Sequence, residues 1–257
     1  MERVTNFQMI ELNTVYRQES KYFVGLLDQI RTGQIDYEGL AELNVRYIKD
    51  ENIDNFGITL CARNATVNAI NTRRISGIND VSMSYVAKVA GRFPEHRFPS
   101  DMILELKVGA QVMFIKNDTE RQFVNGSIGI ILEMTESKII VEIKEAGKTK
   151  QINVQPTSWD IIKYSWIEAK QKIDMETVGS FKQLPLKLAW AITIHKSQGK
   201  TFDRIIVDLG SGAFESGQTY VALSRCRTME GILLKKPLTP RDIFIDPRIQ
   251  EFYDTYR

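Results

Sequence analysis

The chain has 257 residues, 43% of them apolar, and a formal net charge of +2 at neutral pH. That length can bury sizeable cores in one large unit or two smaller ones, and so even a charge balance excludes a chain that binds nucleic acid through bulk basicity alone. No apolar run reaches the roughly 18 residues of a membrane helix, and the start MERVTNFQMIELN lacks the basic-then-apolar pattern of a secretory leader, so a cytoplasmic protein with no membrane partner is expected.

In chain order, FQMIEL predicts a strand over 7–12. ESKYFVGLLDQIRTG then places Tyr22, Phe23, Leu26, Leu27 and Ile30 on one helical face, stopped by Gly33. GITLCARNATVNAINTRRI repeats the theme: a short apolar strand, Asn64 as helix N-cap, then Val67, Ile70 and Arg74 at helical spacing. The middle changes texture. QVMFIKN, SIGIILEM, SKIIVEIKE and TKQINVQ are short β-rich runs separated by turn formers such as Asn125-Gly126, which predicts a small antiparallel β-barrel. Trp159, Tyr164 and Trp166 are expected in its core. After it, RIIVDL and GILLKK return as buried strands around the helix-like SGQTYVALSRCR. The pattern predicts an α/β fold: a discontinuous parallel-sheet domain over 1–104 and 181–257, split by an all-β module at 105–180. Cys61 and Cys226 stand alone in sequence and are expected as reduced thiols, with no metal site.

Positive charge is concentrated near the C-terminal motifs. Between Lys187 and Arg241 nine basic residues face four acidic ones, so this segment is basic and the remainder is slightly acidic. Two phosphate-binding signals fail on inspection. A P-loop needs Gly-x-x-x-x-Gly-Lys-Ser/Thr so that the first glycine can wrap the phosphates. Before Gly147-Lys148-Thr149 that position holds Glu142, and before Gly199-Lys200-Thr201 it holds Ile194. Asp50-Glu51 follows no buried strand and is a poor magnesium-binding pair.

The stretch AITIHKSQGKTFD, 191–203, gathers a histidine, two lysines, a glutamine and a glycine between two apolar runs. Such a polar cluster belongs where buried structure breaks surface, the usual place for a site. Together with LAW before it, RIIVDL after it and TYVALSRCRT further on, it closely resembles motifs V and VI of superfamily 1 helicases, in the branch of RecD and the PIF-type enzymes. IELNTVYRQ resembles that branch's motif IV, LCARNATVNAIN the strand-to-helix segment after it, and LKVGAQVMFIKND with FVNGSIG the entry of the β-barrel inserted in the second motor domain. The resemblance covers nearly the whole chain. It implies a RecA-like domain, a P-loop NTPase-like fold without its own P-loop, with the phosphate cradle and the Mg2+ ligands in a first RecA-like domain outside this chain. The chain is thus expected to be the C-terminal half of a motor, inactive alone, a monomer that uses ATP and Mg2+ in the complete protein and binds single-stranded DNA. A non-catalytic binding module that keeps the motor fold, and the helicase part of a recombination nuclease or relaxase, are the alternatives.

Phosphoryl transfer builds charge on the γ-phosphate oxygens, and an arginine from a facing domain can accelerate it by roughly 10³ to 10⁵. Arg17 and Arg225 occupy the matching motifs, and the resemblance implies that they reach across the cleft as catalytic fingers. It also implies that Gln18, Gln198, Gly199 and Lys200 lie on the nucleotide side. Thr193, His195, Lys196 and Ser197 supply hydroxyl, imidazole and ammonium donors near a glycine, which suits the phosphates of a single strand. Asn64 is a helix cap that can also present a helix N-terminus to phosphate.

Overall fold

The computed structural model describes residues 10, 14–49, 57–136, 138–145, 148–168 and 171–256. The strand expected over 7–12 lies, apart from Ile10, outside them, as does Asp50-Glu51. In chain order the elements are α1 (Lys21–Arg31), α2 (Tyr37–Asn44), β1 (Ile58–Cys61), α3 (Asn64–Ser76), β2 (Met83–Val86), β3 (Lys88–Gly91), β4 (Ile103–Leu106), β5 (Gln111–Phe114), β6 (Ile128–Met134), β7 (Ile139–Glu145) and β8 (Lys148–Asn153). They continue with β9 (Thr157–Ile167), β10 (Lys172–Gln183), β11 (Leu186–Leu188), β12 (Ala191–Thr193), β13 (Ile205–Asp208), α4 (Gln218–Leu223), β14 (Ile232–Leu234) and α5 (Pro247–Tyr256). The chain packs as two compact units, 1–68 with 191–257, and 69–190. Among the described residues no helix is long and apolar enough to cross a membrane.

The first unit is built on a four-stranded sheet in the order β12-β1-β13-β14, parallel throughout. Every residue of β1, β12 and β14 is buried, and so are the first three of β13. That explains the near-continuous apolar runs, interrupted only by Thr59, Thr193 and Asp208: a parallel strand covered on both faces has no solvent side to alternate with. Two glycines allow the backbone to close around the start of β13. A Cβ on Gly57 would lie 2.4 Å from the Arg204 carbonyl oxygen, and one on Gly231 would lie 2.1 Å from that of Asp203. Helix α1 starts where Ser20 Oγ accepts the Phe23 amide at 3.3 Å, and it buries Phe23, Leu26, Leu27 and Ile30. Tyr22, expected on the same face, is exposed instead and its hydroxyl meets Glu42. One residue before Phe23 is a turn of about 100° away, which carries the ring off the buried stripe.

The second unit is antiparallel: a five-stranded sheet in the order β11-β5-β6-β7-β8, a three-stranded sheet β3-β10-β9, and the pair β2-β4. Its core gathers Leu106, Val112, Phe114, Ile131, Val141 and Leu186, all fully buried. In β4, β6 and β7 these are inward positions alternating with more exposed residues, whereas in β5 Met113 between Val112 and Phe114 is buried too. The long β9-β10 ribbon corrects an expectation. Tyr164 and Trp166 are 63% and 62% exposed rather than core, because here they sit on a ribbon opposite Met175 and Ile173. Trp159, nearer the sheet, does pack, with its ring edge-on to Phe181 at 6.1 Å.

Candidate functional site

Parallel α/β sheets place ligands beyond the carboxyl ends of their strands, where the chain reverses direction across the sheet. In the first unit β1 and β12 are neighbours in register, Cys61 opposite Thr193, and both end at the same edge. Helix α3 begins there with Asn64, which is exposed, and the short 3₁₀ turn His195–Ser197 follows β12. The Ile194 amide still donates to the Cys61 carbonyl at 2.9 Å, so the turn is fastened to the end of β1.

Within that turn the polar residues divide by task. Thr193 Oγ1 accepts the Lys196 amide at 3.3 Å, and Ser197 Oγ donates to the Ile194 carbonyl at 2.5 Å. Both side chains are buried. They shape the turn, whereas His195 and Lys196 are exposed on it. Gln198 and Gly199 are exposed as well, and Gly199 has φ +77°, a left-handed conformation that suits glycine. The Lys200 amide donates to the Ser197 carbonyl at 3.0 Å, and partial burial lowers the pKa of its ammonium.

A few residues on, the same stretch reaches a second group. Arg17 donates from Nε to Thr201 Oγ1 at 2.9 Å and from Nη1 to the Ser224 carbonyl at 3.0 Å. Gln18 is buried, and its Nε2 donates to the carbonyls of Ser224 and Cys226 at 3.0 and 2.8 Å. Arg225 is 9% exposed and donates from Nη2 to Ser224 Oγ at 2.7 Å and from Nε to the Val221 carbonyl at 3.0 Å. Burial first, and the charge of Arg17 second, lower its pKa. Neither guanidinium pairs with a carboxylate among the described residues. Among the described residues two like charges thus share one serine with no carboxylate against them, an arrangement that an anion would stabilise. Beside them an open groove of about 530 Å³ is lined by Thr14, Val15, Tyr16, Arg17, Thr201 and Arg227. Among the described residues no cluster of His, Cys, Asp and Glu could hold a metal ion.

The structure therefore brings Asn64, His195 and Lys196 to one sheet edge and Arg17, Gln18 and Arg225 around Ser224, with residues 193–201 running between the groups. Sequence reasoning missed Thr201 and Ser224, the two hydroxyl residues that receive Arg17 and Arg225. Ser224 lies within ALSRCR beside Arg225, so its place in the motif was the available signal. It also missed Glu215, whose Oε2 lies 2.7 Å from His195 Nε2, and Arg63, whose guanidinium sits 4.8 Å from the Phe214 ring centroid.

A buried parallel sheet with basic and polar loops on its carboxyl edge, in a chain that also carries antiparallel sheets, defines an α/β protein with a ligand edge of the kind found in nucleotide-binding folds. No protein-family model matches the chain. The ATP-dependent DNA helicase Pif1 of Bdellovibrio bacteriovorus is 33% identical over 258 aligned positions, which take in 98% of this chain and 55% of that protein. Unliganded Pif1 from a Bacteroides species matches with a TM-score of 0.84 at 36% identity, over 98% of this chain and 58% of that one. The Bacteroides Pif1 helicase in complex with ADP-AlF3 and single-stranded DNA matches with a TM-score of 0.73 at 36% identity, over 97% and 57%. The chain is a homologue, over nearly its whole length, of the Pif1 helicases of superfamily 1, and it spans about half the length of the Bdellovibrio relative.

Proposed function

We propose that this chain is the C-terminal motor half of an ATP-dependent DNA helicase. In this reading Arg17 and Arg225 are arginine fingers for ATP held on a RecA-like domain outside the chain, which also supplies the Mg2+ ligands. Gln198, Gly199 and Lys200 border the nucleotide, and Gln18 sets the position of the fingers through its two carbonyl contacts. The turn at 193–197, with Asn64, grips single-stranded DNA: His195 and Lys196 by their side chains, Thr193 and Ser197 by holding the turn in shape. The protein acts as a cytoplasmic monomer. The resemblance puts the motor domain at 1–104 and 181–257 and a small β-barrel at 105–180; residues 69–104 and 181–190 pack with the antiparallel sheets instead, so the motor unit proposed here is 1–68 with 191–257.

The observation that carries the reading is the convergence of two guanidiniums on Ser224 without a carboxylate partner among the described residues. A guanidinium offers five donors in a rigid fork, so oxygens of a transferring phosphoryl group can take the donors that Ser224, Thr201 and Val221 leave available. The solved complex of the Bacteroides relative with ADP-AlF3 and single-stranded DNA supports both ligands. The test is turnover of ATP, with Mg2+ and single-stranded DNA, by the chain alone and by a longer protein that carries it. No turnover by the chain and DNA-stimulated turnover by the longer protein is the expected result. Turnover by the purified chain that is lost in Arg225→Ala would move the catalytic machinery into this chain and refute the division of labour.

A further inference from the structure

The loop between β13 and α4 reaches the residues proposed to meet the DNA strand. It is bounded by Gly212 at φ +125° and Gly217 at φ +71°, and its inner side is tied down by the Ala213 amide on Asp242 Oδ1 at 3.0 Å and the Phe214 amide on Gln218 Oε1 at 3.1 Å. Its outer side makes two contacts across the carboxyl edge of the sheet. Glu215 Oε2 lies 2.7 Å from His195 Nε2, at the end of β12, and the Phe214 ring lies under the Arg63 guanidinium, at the end of β1 beside Asn64. One short loop thus occupies an imidazole and a guanidinium on the edge where a strand would lie.

The occupancy is of a releasable kind. The side chains of His195 and Glu215 are 54% and 49% exposed, and a polar contact so open to solvent is held weakly. A carboxylate presents the same feature that a phosphodiester would, a negative charge with acceptor oxygens. We infer that Glu215 is a built-in competitor for strand phosphate at His195, with Phe214 retaining Arg63 in the same way, so that the loop 213–216 sets the threshold for binding. An extended strand, whose successive phosphates can replace both contacts at once, displaces the loop. An isolated phosphate, which can replace only one, does not. Glu215 is on this view a specificity-determining residue of the strand site, and the inference rests on the proposed role of His195.

The experiment measures the affinity of the chain for a fluorescein-labelled oligothymidylate by anisotropy, for the unaltered protein, Glu215→Gln, His195→Ala and the double variant. All the altered side chains are exposed, so folding is not at stake, and circular dichroism checks it. Glu215→Gln is expected to bind the strand about two- to five-fold more tightly, the span of an exposed ion pair, and to make inorganic phosphate a better competitor. In the His195→Ala background the same change is expected to do nothing. Weaker or unchanged binding by Glu215→Gln alone, with His195→Ala still weakening it, overturns the competition and leaves the strand site standing. Equal tightening in both backgrounds also overturns it, since the effect is then the loss of any nearby negative charge. If His195→Ala leaves affinity unchanged, the strand role of His195 is what fails, and the competition falls with it.

Discussion

Arg17 and Arg225 meet on one residue, Ser224: the first donates to its carbonyl oxygen at 3.0 Å and the second to its hydroxyl at 2.7 Å. The pairing spans 207 positions of sequence and leaves two positive charges side by side, one of them buried. Desolvation and mutual repulsion both oppose that arrangement. An anion between them relieves both.

If these are charge donors in the transition state, replacing either with alanine in the complete enzyme should cost about 10³- to 10⁵-fold in turnover, or about 4–7 kcal/mol of barrier. Single-strand affinity should barely move. Lysine at position 225 should rescue poorly, because a point charge cannot serve Ser224, Val221 and a phosphoryl oxygen together. Steady-state ATPase and strand binding, measured on the same variants, decide it: loss of DNA binding with intact basal turnover would reverse the roles of the two residue groups.

The strand site should behave as a phosphate site. Affinity for single-stranded DNA is expected to fall with salt and to depend little on base sequence, through counterion release. Lys196→Ala should flatten the slope of log K against log salt by about 0.7, the single-strand value for one lost contact. A slope that does not change places Lys196 away from the strand.

Two glycines should respond to alanine in opposite directions. Gly25 is exposed within α1, and an added Cβ would touch nothing within 4 Å, so Gly25→Ala should stabilise by about 0.5–1 kcal/mol. At Gly231 the same atom would lie 2.1 Å from the Asp203 carbonyl oxygen and 2.7 Å from Cys226 Sγ. Gly231→Ala should therefore destabilise by about 1–3 kcal/mol, as overpacking does. Urea denaturation of the two variants beside the parent measures both.

Cys61 gives the chain a pH signature. Burial, reinforced by Asp208, pushes its thiol up from 9.0 to about 12. Between those values the unfolded chain has released the proton and the folded chain still holds it. Stability must then fall as pH rises through this window, since the folded state binds more protons there. Below pH 9 the thiol is neutral in both states and contributes no slope. Urea midpoints at pH 8 and pH 10.5 should separate more for the parent than for Cys61→Ala, and iodoacetamide at pH 8 should leave the native thiol unmodified. Rapid native labelling would mean that β1 is not closed at its carboxyl end.

What was legible in the sequence was local chemistry under strong constraint. The runs at 58–61, 205–208 and 232–234 read as buried strands because a parallel strand enclosed on both faces is nearly all apolar, with Thr59 its only buried polar residue in these three, and they form β1, β13 and β14. Ser20, Phe23, Leu26, Leu27 and Ile30 wrote out α1 by cap and period. The motifs around 191–203 and 219–228 marked where polar groups break from that core. Other facts depended on which chain segments come together. Tyr164 and Trp166 alternate as core residues would, but whether an alternating face is covered is decided by what packs on it, and on the β9-β10 ribbon they are exposed. Thr193 and Ser197 can be named as hydroxyl donors from the sequence, but their contacts with the Lys196 amide and the Ile194 carbonyl appear only once the turn is folded. Arg17 reaches Ser224, and His195 reaches Glu215, only because the order β12-β1-β13-β14 folds distant loops onto one end of the sheet. Composition and period act along the chain and so can be read from it. Contacts between loops are set by sheet order and register, which no single segment encodes.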